Sequence, residues 1–420
     1  MYRLLTIILG CMLLLTSCHG QRGKTADTVI ESPEATPSIK DSADIHKPSV
    51  AGHPDQAAGI AVKAVASTPA IDSAYIKELM RKPLVSINLD DVGPGKVLNF
   101  SDVFHFPDTV KIKGDKISYF AYPMVFAFGE KFMAIEESGS YEQSMGLYTT
   151  DGAFLRDIGP STFKLQPKSV AIDEINSYMY IYDSGPKKVW KYRLDGTLLS
   201  EIPIETGSYD RDIFSKGHLC DGIATDSQGN LLVHYAYWDG NTVPYNYYLY
   251  SPEGKLLCAR KSFREFEGTS SATDSRHFEM QVYYYNDILH VKDLGDTVYA
   301  VVNNKFIPKY IISSKASLSN IADEASYFKS HALMFDGLFE TDRYLIYRYA
   351  IRKDKPIFYW GYYDKETDIN YSKSSGSVNG HTTFEGGASR EDNAGFRLGH
   401  GNLAYKIDEK SQNLLRYKLK

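Results

Sequence analysis

The 420-residue chain has few residues of the kinds that usually carry chemistry. It contains four cysteines and three tryptophans, and it has no CxxC or HExxH motif. No two histidines stand at i, i+2 or i, i+4, so the spacing predicts no zinc site. The net charge of −5 is mild and lacks basic runs. This balance argues against nucleic acid as a partner and against a polybasic membrane patch.

Motifs of nucleophilic catalysis and of phosphate binding are also missing. The sequence has no GxSxG nucleophile elbow and no glycine-rich phosphate loop. Its glycine clusters, GSYEQSMG and GSVNG, are not followed by a helix pattern and are interpreted as loops. These absences favour a binding protein over an enzyme.

Aromatic residues are the abundant class, with 32 tyrosines and 20 phenylalanines. Broad rings pack well on a pleated, half-buried surface, so this composition favours strands. We expect most of these rings to serve packing and a minority to line a ligand surface, because tyrosine combines an apolar face with a polar tip.

The N-terminus carries a predicted targeting signal. Residues 1–17 contain one arginine and an apolar stretch of about a dozen residues, which is too short for a transmembrane helix and typical of a secretory signal peptide. The segment ends in Leu15-Thr16-Ser17-Cys18, which resembles the bacterial lipobox. Lipidation of Cys18 would give durable anchoring because several acyl chains are attached there. Cys11 lies inside the segment that would be removed.

Residues 18–70 have linker composition, rich in Ala, Ser, Thr, Pro and Asp. They predict a flexible tether, and residues 71–83 predict a short helix that leads into the globular part. The residues after Cys18 lack the acidic cluster that resembles a surface-export signal in Bacteroidetes lipoproteins. The prediction therefore favours the periplasmic face of the outer membrane over the cell surface.

Three stretches of the chain can be laid over one another, and each predicts four strands. They are FGEKFMAIEES with GLYTTDGAFLRDIG, then AIDEINSYMYIYDSGPKKVWKYRLDGTLLSEIPI, and then DGIATDSQGNLLVHYAYWDG with YNYYLYSPEGKLLCARKSF. Acid-glycine turns mark the three units, at Asp151-Gly152, Asp195-Gly196 and Glu253-Gly254. A four-stranded unit repeated roughly every 40 to 60 residues indicates a β-propeller.

Further hairpins extend the pattern towards the C-terminus. One turns at Asn303-Asn304, and another unit begins at Tyr344 and turns near Asp364. The terminal hairpin, NLAYKIDEKSQNLLRYKLK, is expected to be completed by an early strand from about Leu84 to Lys113, which would close the ring.

The predicted fold is therefore all-β. It is a six-bladed β-propeller of four-stranded antiparallel blades over residues 84–420, closed by N- and C-terminal strands. A seventh blade is possible if Glu265–Tyr285 contains another short unit.

The unit PKSVAID…MYIYD…VWKYRLDGTLL resembles the NHL repeat of six-bladed propellers. The segment Asp296–Ile312 resembles the uncharacterised six-bladed propeller lipoproteins of Bacteroidetes, although VNNKFIPKY replaces the acid-glycine turn there. The resemblance implies a propeller fold and association with the outer membrane, and it implies no established reaction.

Cys220 and Cys258 are the other two cysteines of the mature chain. The repeat places Cys220 on the inner strand of one blade and Cys258 on its outer strand. We therefore expect free thiols in preference to a disulfide.

Aromatic and basic residues in predicted loops are the candidates for ligand or partner binding. The loops are Tyr237–Tyr245, Arg276–Tyr285 and Ser377–Arg390. The candidate residues are Tyr237, Trp238, His218, Arg276, His277, Trp360, His381 and Phe384. A rigid ring in a loop can stack on a sugar or a peptide side chain at little entropic cost.

The sequence leaves three functions open. The first is a lipid-anchored envelope module that binds a protein, small molecule or glycan and needs no cofactor. The second is a hydrolase or lyase of the six-bladed lactonase type with Ca²⁺ at the central tunnel, for which Asp221 is the only carboxylate at a predicted inner-strand start. The third is a structural accessory of an outer-membrane complex.

Acidic residues also follow the second strands of successive units, and Asp183 is one of them. They form either an acidic ring on one face or the starts of solvated loops.

Overall fold

The computed structural model describes 16 stretches of the chain, all within the unit formed by residues 61–420. They are residues 73–81, 84–93, 98, 100–113, 126–136, 145–159, 165–204, 220–235, 245–261, 280–292, 295–317, 333–351, 357–374, 397–399, 403–408 and 413–420. Two short helices precede most of the strands, α1 (Ser73–Arg81) and α2 (Phe100–Val103).

Six antiparallel sheets form a ring, and each sheet is one blade. The first three blades coincide with the three repeats of the sequence. Blade 1 contains β3 (Phe126–Phe128), β4 (Phe132–Glu136), β5 (Met145–Thr149) and β6 (Phe154–Ile158). Blade 2 contains β7 (Pro167–Asp173), β8 (Tyr178–Asp183), β9 (Lys188–Arg193) and β10 (Leu198–Ile202). Blade 3 contains β11 (Cys220–Thr225), β12 (Leu231–Tyr235), β13 (Tyr247–Tyr250) and β14 (Leu256–Arg260).

The later blades include the two N-terminal strands, β1 (Val85–Asn88) and β2 (Asp108–Val110). Blade 4 contains β15 (Gln281–Tyr285), β16 (Ile288–Lys292), β17 (Thr297–Val302), β18 (Lys305–Ser313) and β1. Blade 5 contains β19 (Leu333–Glu340), β20 (Tyr344–Ile351), β21 (Ile357–Asp364) and β22 (Ile369–Ser374). Blade 6 contains β23 (Arg397–Gly399), β24 (Leu403–Asp408), β25 (Asn413–Lys418) and β2.

The strand order gives the ring two different faces. The connections from first to second strand and from third to fourth strand emerge together, on what we call the turn face. The connections from second to third strand and from one blade to the next emerge on the opposite side, which we call the loop face. First strands contact those of other blades, so they line the centre.

The ring closes in blade 6, as predicted, because β2 pairs with β25. Asp108 stands opposite Arg416 and Val110 opposite Leu414. Only part of the predicted early strand serves this closure. Strand β1 instead adds to blade 4, where it pairs in parallel with β18. Ile87 of β1 is 1% exposed and fills the apolar boundary between blades 4 and 5, which favours this position.

The predicted count of six blades is confirmed, and the described part of Glu265–Tyr285 belongs to blade 4, where it forms strand β15, and not to a seventh blade. One expectation about the later blades is corrected. The strand that begins at Tyr344 is the second of blade 5, because β19 precedes it. A bulge between Phe335 and Gly337 breaks the alternation of β19, which obscured this strand in the sequence.

The core consists of apolar layers between neighbouring blades. Among the described residues, ten tyrosines have less than 2% of their surface exposed, which confirms that many of the rings serve packing: Tyr148, Tyr180, Tyr182, Tyr192, Tyr235, Tyr247, Tyr283, Tyr347, Tyr349 and Tyr405. The layer between blades 6 and 1 includes Tyr405 stacked on Phe128, with ring centroids 4.0 Å apart. This contact packs the closing blade against the first one.

Candidate functional site

Buried carboxylates gather at the turn face, where the first strands of three blades end. Asp173 ends β7, Asp226 follows β11 and Glu340 ends β19. Their exposed fractions are only 2%, 3% and 2%. A buried carboxylate needs donors or a cation, so its partners decide whether it is free for chemistry.

Asp173 and Asp226 each cap the turn that follows them. Asp173 accepts the backbone N–H of Asn176 at 3.0 Å and its side-chain N–H at 2.8 Å. Asp226 accepts the backbone N–H groups of Gln228 and Asn230 at 2.9 Å, and the Asn230 amide at 2.9 Å. Burial raises the pKa of both carboxyl groups, although these hydrogen bonds oppose the effect. Both residues therefore act as turn caps.

Polar contacts also join the turns of neighbouring blades. Glu174 of blade 2 accepts the backbone N–H groups of Lys131 and Phe132 in blade 1, at 2.8 and 2.9 Å. Asn230 of blade 3 donates from its side chain to the Asn304 side-chain oxygen of blade 4, at 3.3 Å. These contacts connect turns of blades 1 and 2 and of blades 3 and 4.

A buried ion-pair cluster joins blades 4 and 5. The Lys309 ammonium donates to the two carboxylate oxygens of Glu340 at 2.8 and 3.0 Å. The Lys365 ammonium forms an ion pair with the same carboxylate at 2.8 Å. The hydroxyl groups of Tyr283 and Tyr310 donate to the same carboxylate at 3.0 and 2.8 Å. Burial alone would raise the pKa of Glu340, but the two ammonium groups outweigh burial and hold it well below its ordinary value.

His290 lies beside this carboxylate as a neutral ring. Its Nδ1 lies 2.9 Å from the Ile288 carbonyl oxygen, which assigns the proton to Nδ1 and leaves Nε2 to face the Lys309 ammonium at 3.4 Å. The ring stacks on Tyr283 with centroids 4.7 Å apart. Burial and the nearby Lys309 lower the pKa of His290 to about 3. We call Tyr283, His290, Lys309, Tyr310, Glu340 and Lys365 the seam cluster.

Helix α1 covers the seam cluster. The Lys309 ammonium donates to the Tyr75 hydroxyl, and the Tyr75 ring meets Tyr285 edge-on with centroids 5.6 Å apart. Ile76 and Leu79 continue this contact along blade 4. The apolar side chains beneath the helix are Ile288, Ala300, Val302 and Ile307.

The seam cluster is built to hold two blades together. Two ammonium groups and two hydroxyl groups already fill the acceptor positions of Glu340. A carboxylate with a strongly lowered pKa does not hold a proton near neutral pH, so it is a poor general acid. No group of three or more His, Cys, Asp and Glu side chains suited to a metal ion occurs among the residues that the structure describes.

A shallow pocket of about 440 Å³ adjoins the seam cluster on the turn face. The two basic side chains that line this pocket already have partners within the protein. Arg343 pairs with Asp364 at 2.9 Å and with Glu366 at 3.3 Å, and the Lys420 ammonium donates to the Ser101 carbonyl oxygen at 2.6 Å. Charges of both signs line it, so it has no clear preference for one ligand charge. The lining residues are Asp102, Thr341, Asp342, Arg343, Tyr344 and Lys420.

Trp360 is the only predicted binding residue within the described stretches. It stands in β21 between Arg348 of β20 and Lys373 of β22, half-buried against an apolar cluster. The Arg348 guanidinium lies 5.8 Å from its ring centroid. These contacts indicate a packing role in blade 5. The other candidates lie outside the described residues, as does the predicted lipidation site: Tyr237, Trp238, His218, Arg276, His277, His381, Phe384 and Cys18.

Two acidic candidates fall on blades 2 and 3. Asp183 is fully buried and accepts N–H groups from Gln166, Gly185 and Trp190 at 3.0 to 3.2 Å, so it is not part of a solvated acidic ring. Asp221 lies on β11, the first strand of blade 3, where the repeat placed it.

Cys220 and Cys258 are free thiols, in agreement with the expectation from the repeat. They lie on the first and last strands of blade 3. Strands are about 4.8 Å apart, so three spacings far exceed the Cα separation of a disulfide. Burial raises the pKa of Cys258 to about 11, which makes this thiol a weak nucleophile.

The sequence reasoning did not single out the seam cluster. Lys309 and Glu340 are 31 residues apart and lie on different blades, so no local spacing connects them. The available signal was Lys309, a lysine within the largely apolar strand KFIPKYII. A lysine that becomes buried in such a strand needs a partner of opposite charge.

These features define the class of the protein as a six-bladed β-propeller whose described buried carboxylates have structural partners. The chain belongs to the family described as a domain of unknown function (DUF4934), which matches residues 86–395. No curated protein matches the chain.

Solved structures add similarities in fold. A protein of Bacteroides fragilis NCTC 9343, described as exported, is 16% identical with a TM-score of 0.52, over 80% of this chain and 100% of that one. A protein of unknown function from Bacteroides thetaiotaomicron is 12% identical, with a TM-score of 0.38 over 78% and 75%. The periplasmic gluconolactonase of Pseudomonas aeruginosa is 12% identical, with a TM-score of 0.37 over 75% and 99%.

The family match and the Bacteroides fragilis structure confirm the resemblance to Bacteroidetes propellers of unknown function. No described helix is long and apolar enough to cross a membrane.

Proposed function

We propose that this protein is a lipid-anchored module of the cell envelope that binds a glycan or protein partner through its loop face. Cys18 carries the lipid, residues 19–70 form the tether, and the propeller presents the binding surface. The periplasmic side of the outer membrane is the proposed location. The lipobox-like end of the signal peptide and the linker composition support the anchor.

The strand order is the observation that carries the proposed binding role. Tyr237 and Trp238 belong to the connection between β12 and β13, and His218 to that between β10 and β11. Arg276 and His277 belong to the connection between β14 and β15. All these connections begin and end at the loop face, as does the one between β22 and β23, which contains His381 and Phe384. Because the strands that flank these connections end at the loop face, we propose that the aromatic and basic candidates meet there.

The rigidity of the frame supports the same proposal. Loops that bind are usually positioned by a stable scaffold, which reduces the ordering cost of binding. On the turn face, Asp173, Asp226 and Glu340 all have partners within the protein. This leaves the loop face as the better candidate for recognition.

Site-specific photo-cross-linking in native envelopes tests this proposal. The cross-linker p-benzoylphenylalanine is placed at Tyr237 or Phe384, and as a matched control at Lys305, which is exposed on the turn face. We expect a discrete adduct from the two loop-face positions and none from Lys305. Mass spectrometry of the adduct identifies a protein or a glycan.

Adducts of equal yield at all three positions, or only at Lys305, would contradict a loop-face site. Thermal unfolding with and without Ca²⁺ addresses the lactonase alternative, because an ion that binds only the folded state raises the melting temperature. A large rise that is lost in Asp221→Asn would favour that alternative.

A further inference from the structure

The outer side of helix α1 combines apolar and basic residues. Its inner side is buried on blade 4, but Met80 on the outer side is 64% exposed. Lys77 and Arg81 are exposed beside it, and Leu84, three residues after the end of the helix, is 42% exposed. The positions 77, 80 and 81 are one turn apart and therefore form one surface of the helix.

Exposed apolar side chains are concentrated in this N-terminal segment. Among the described residues, eight large apolar side chains are exposed, and four of them lie between residues 80 and 106. Phe106 has 94% of its surface exposed. Val92 and Phe106 lie next to residues that pair with blades 5 and 6, so Met80 and Leu84 are the exposed apolar side chains nearest in the chain to the basic residues of α1. The four residues are Met80, Leu84, Val92 and Phe106.

The position of α1 in the chain indicates what covers this surface. Residues 19–72 separate the helix from Cys18, and their composition predicts a flexible coil with a span of about 40 Å. A tether of this kind keeps the helix at a high effective concentration near the anchoring membrane, so a weak affinity is enough for contact.

We propose that the outer side of α1, with Lys77, Met80, Arg81 and Leu84, rests on the phospholipid surface of the membrane that holds Cys18. This inference rests on the proposed lipid anchor. The charges fit, because lysine and arginine donate to phosphate groups while neighbouring apolar side chains enter the acyl boundary. No pocket is required for such a contact.

The contact would also orient the propeller. Helix α1 packs on Ile288 and Val302, which lie at the turn-face ends of β16 and β17. A membrane beneath α1 would therefore lie on the side of the turn face. The loop face, with its proposed binding residues, would point away from the lipid and towards a partner.

Fluorescence quenching by brominated phospholipids tests this contact in the full chain. The acylated protein is reconstituted in vesicles of phosphatidylethanolamine and phosphatidylglycerol, with and without bromine on the acyl chains. Met80→Trp is compared with Leu198→Trp, a matched control on blade 2 whose leucine is 44% exposed. We expect bromine to reduce the additional emission of Met80→Trp several-fold more than that of Leu198→Trp. Adding Lys77→Glu and Arg81→Glu to Met80→Trp should remove most of the difference.

Equal quenching of the two variants, or none in either, would overturn the membrane contact. The anchor itself is measured separately, as incorporation of palmitate at Cys18. If palmitate is absent, the variants are attached to the vesicles through an N-terminal hexahistidine and a nickel-chelating lipid, which keeps the tether, and the comparison between Met80→Trp and Leu198→Trp still decides the role of α1. Melting curves of all variants verify that each one is folded.

Discussion

Lys309 and Glu340 form a buried ion pair that crosses from the outer strand of blade 4 to the first strand of blade 5. The distance from Nζ to Oε1 is 2.8 Å, and the side chains are only 12% and 1% exposed. Because Lys365 shares this carboxylate, Glu340→Gln would leave two cations near the seam without their counter-ion. We expect a loss of about 3–5 kcal/mol in the free energy of unfolding, measured by urea denaturation.

An exposed ion pair provides the matched control. Lys188 and Glu201 are 2.7 Å apart, but their side chains are 39% and 41% exposed. Glu201→Gln should cost about 0–1 kcal/mol, because solvent screens such pairs. Equal losses from the two substitutions would show that the seam cluster is not a special contact.

The seam cluster also predicts a dependence of stability on pH. The pKa of His290 falls from 6.5 to about 3 in the folded protein. Below pH 6.5 this histidine binds a proton in the unfolded chain but not in the folded chain. Its contribution to the free energy of unfolding is therefore fully present above pH 6.5 and decreases as the pH falls towards 3. Between pH 6.5 and 4.5, denaturation should show a slope approaching about 1.4 kcal/mol per pH unit from this group.

His290→Gln should remove this contribution, whereas the same change at the exposed His105 should leave it in place. The carboxyl of Glu340 adds a slope of the same sign below its ordinary pKa of 4.5, and the raised pKa values of Asp173 and Asp226 oppose it. The difference in slope between the unchanged chain and His290→Gln therefore isolates the histidine. A slope that survives in His290→Gln would assign it to another group.

Alanine substitutions at two glycines with positive φ distinguish the stability cost of backbone strain from that of a packing clash. Gly196 has φ +89°, and the atom nearest to an added Cβ would be 3.6 Å away. Gly229 has φ +78°, and a methyl group there would overlap Asn176 and lie 2.6 Å from the Asp173 carboxylate. We expect Gly196→Ala to cost about 1 kcal/mol from conformation alone. Gly229→Ala should cost at least twice as much by chemical denaturation, and similar values would argue against tight contact between the turns of blades 2 and 3.

Strand β1 should contribute to the stability of the propeller although it precedes the repeats. Ile87 is buried between blades 4 and 5, and Ile87→Ala should cost about 2–5 kcal/mol. Leu84 is 42% exposed, so Leu84→Ala should change stability by less than about 0.5 kcal/mol. Thermal unfolding of both variants measures the difference, and an unchanged Ile87→Ala would show that β1 is dispensable.

Lipidation at Cys18 is tested by labelling cells with an alkyne analogue of palmitate. The full chain should take up the label, and Cys18→Ala should lose it together with partition into detergent. Cys11→Ala is the matched control, since this cysteine lies in the segment predicted to be removed. Label that persists in Cys18→Ala would place the acyl chain elsewhere.

The turns of the first three blades were predictable because local chemistry specifies them. Gly152, Gly196 and Gly254 have φ values of +88°, +89° and +82°, which other residues rarely adopt. The hairpin at Asn303-Asn304 was predicted for a related reason, and both asparagines have positive φ. Such turns depend on their own few residues and need no information from other blades.

The first strands of blades 4 and 5 were harder to predict. Strands β15 and β16 are joined by Asn286 and Asp287, with φ values of 50° and 56°. This two-residue turn between YYY and ILHVK was a readable hairpin signal, although it lacks glycine. Strand β19 is bulged, and parallel addition of β1 depends on the edge of β18, which no local pattern reveals.

The fold could be predicted further than the candidate sites, whose predicted residues lie outside the described stretches except for Trp360. The seam cluster brings together side chains from blades 4 and 5, so its existence depends on how the blades pack. Trp360 was selected as an aromatic near a loop, with packing as the alternative interpretation, and pairing within blade 5 places it in a strand. The loop-face residues remain predictions, because the side chains of long connections are determined by contacts that local sequence does not specify.

Strand β2 lies early in the chain, yet its partner among the described strands, β25, comes more than 300 residues later. A chain that is still emerging from the ribosome or from a translocon therefore cannot complete the circle, and its open blade edges stay available for wrong pairing. Contacts between such distant segments also slow folding. Synthesis of β25 thus sets the moment at which the edge of β2 is paired and protected from aggregation.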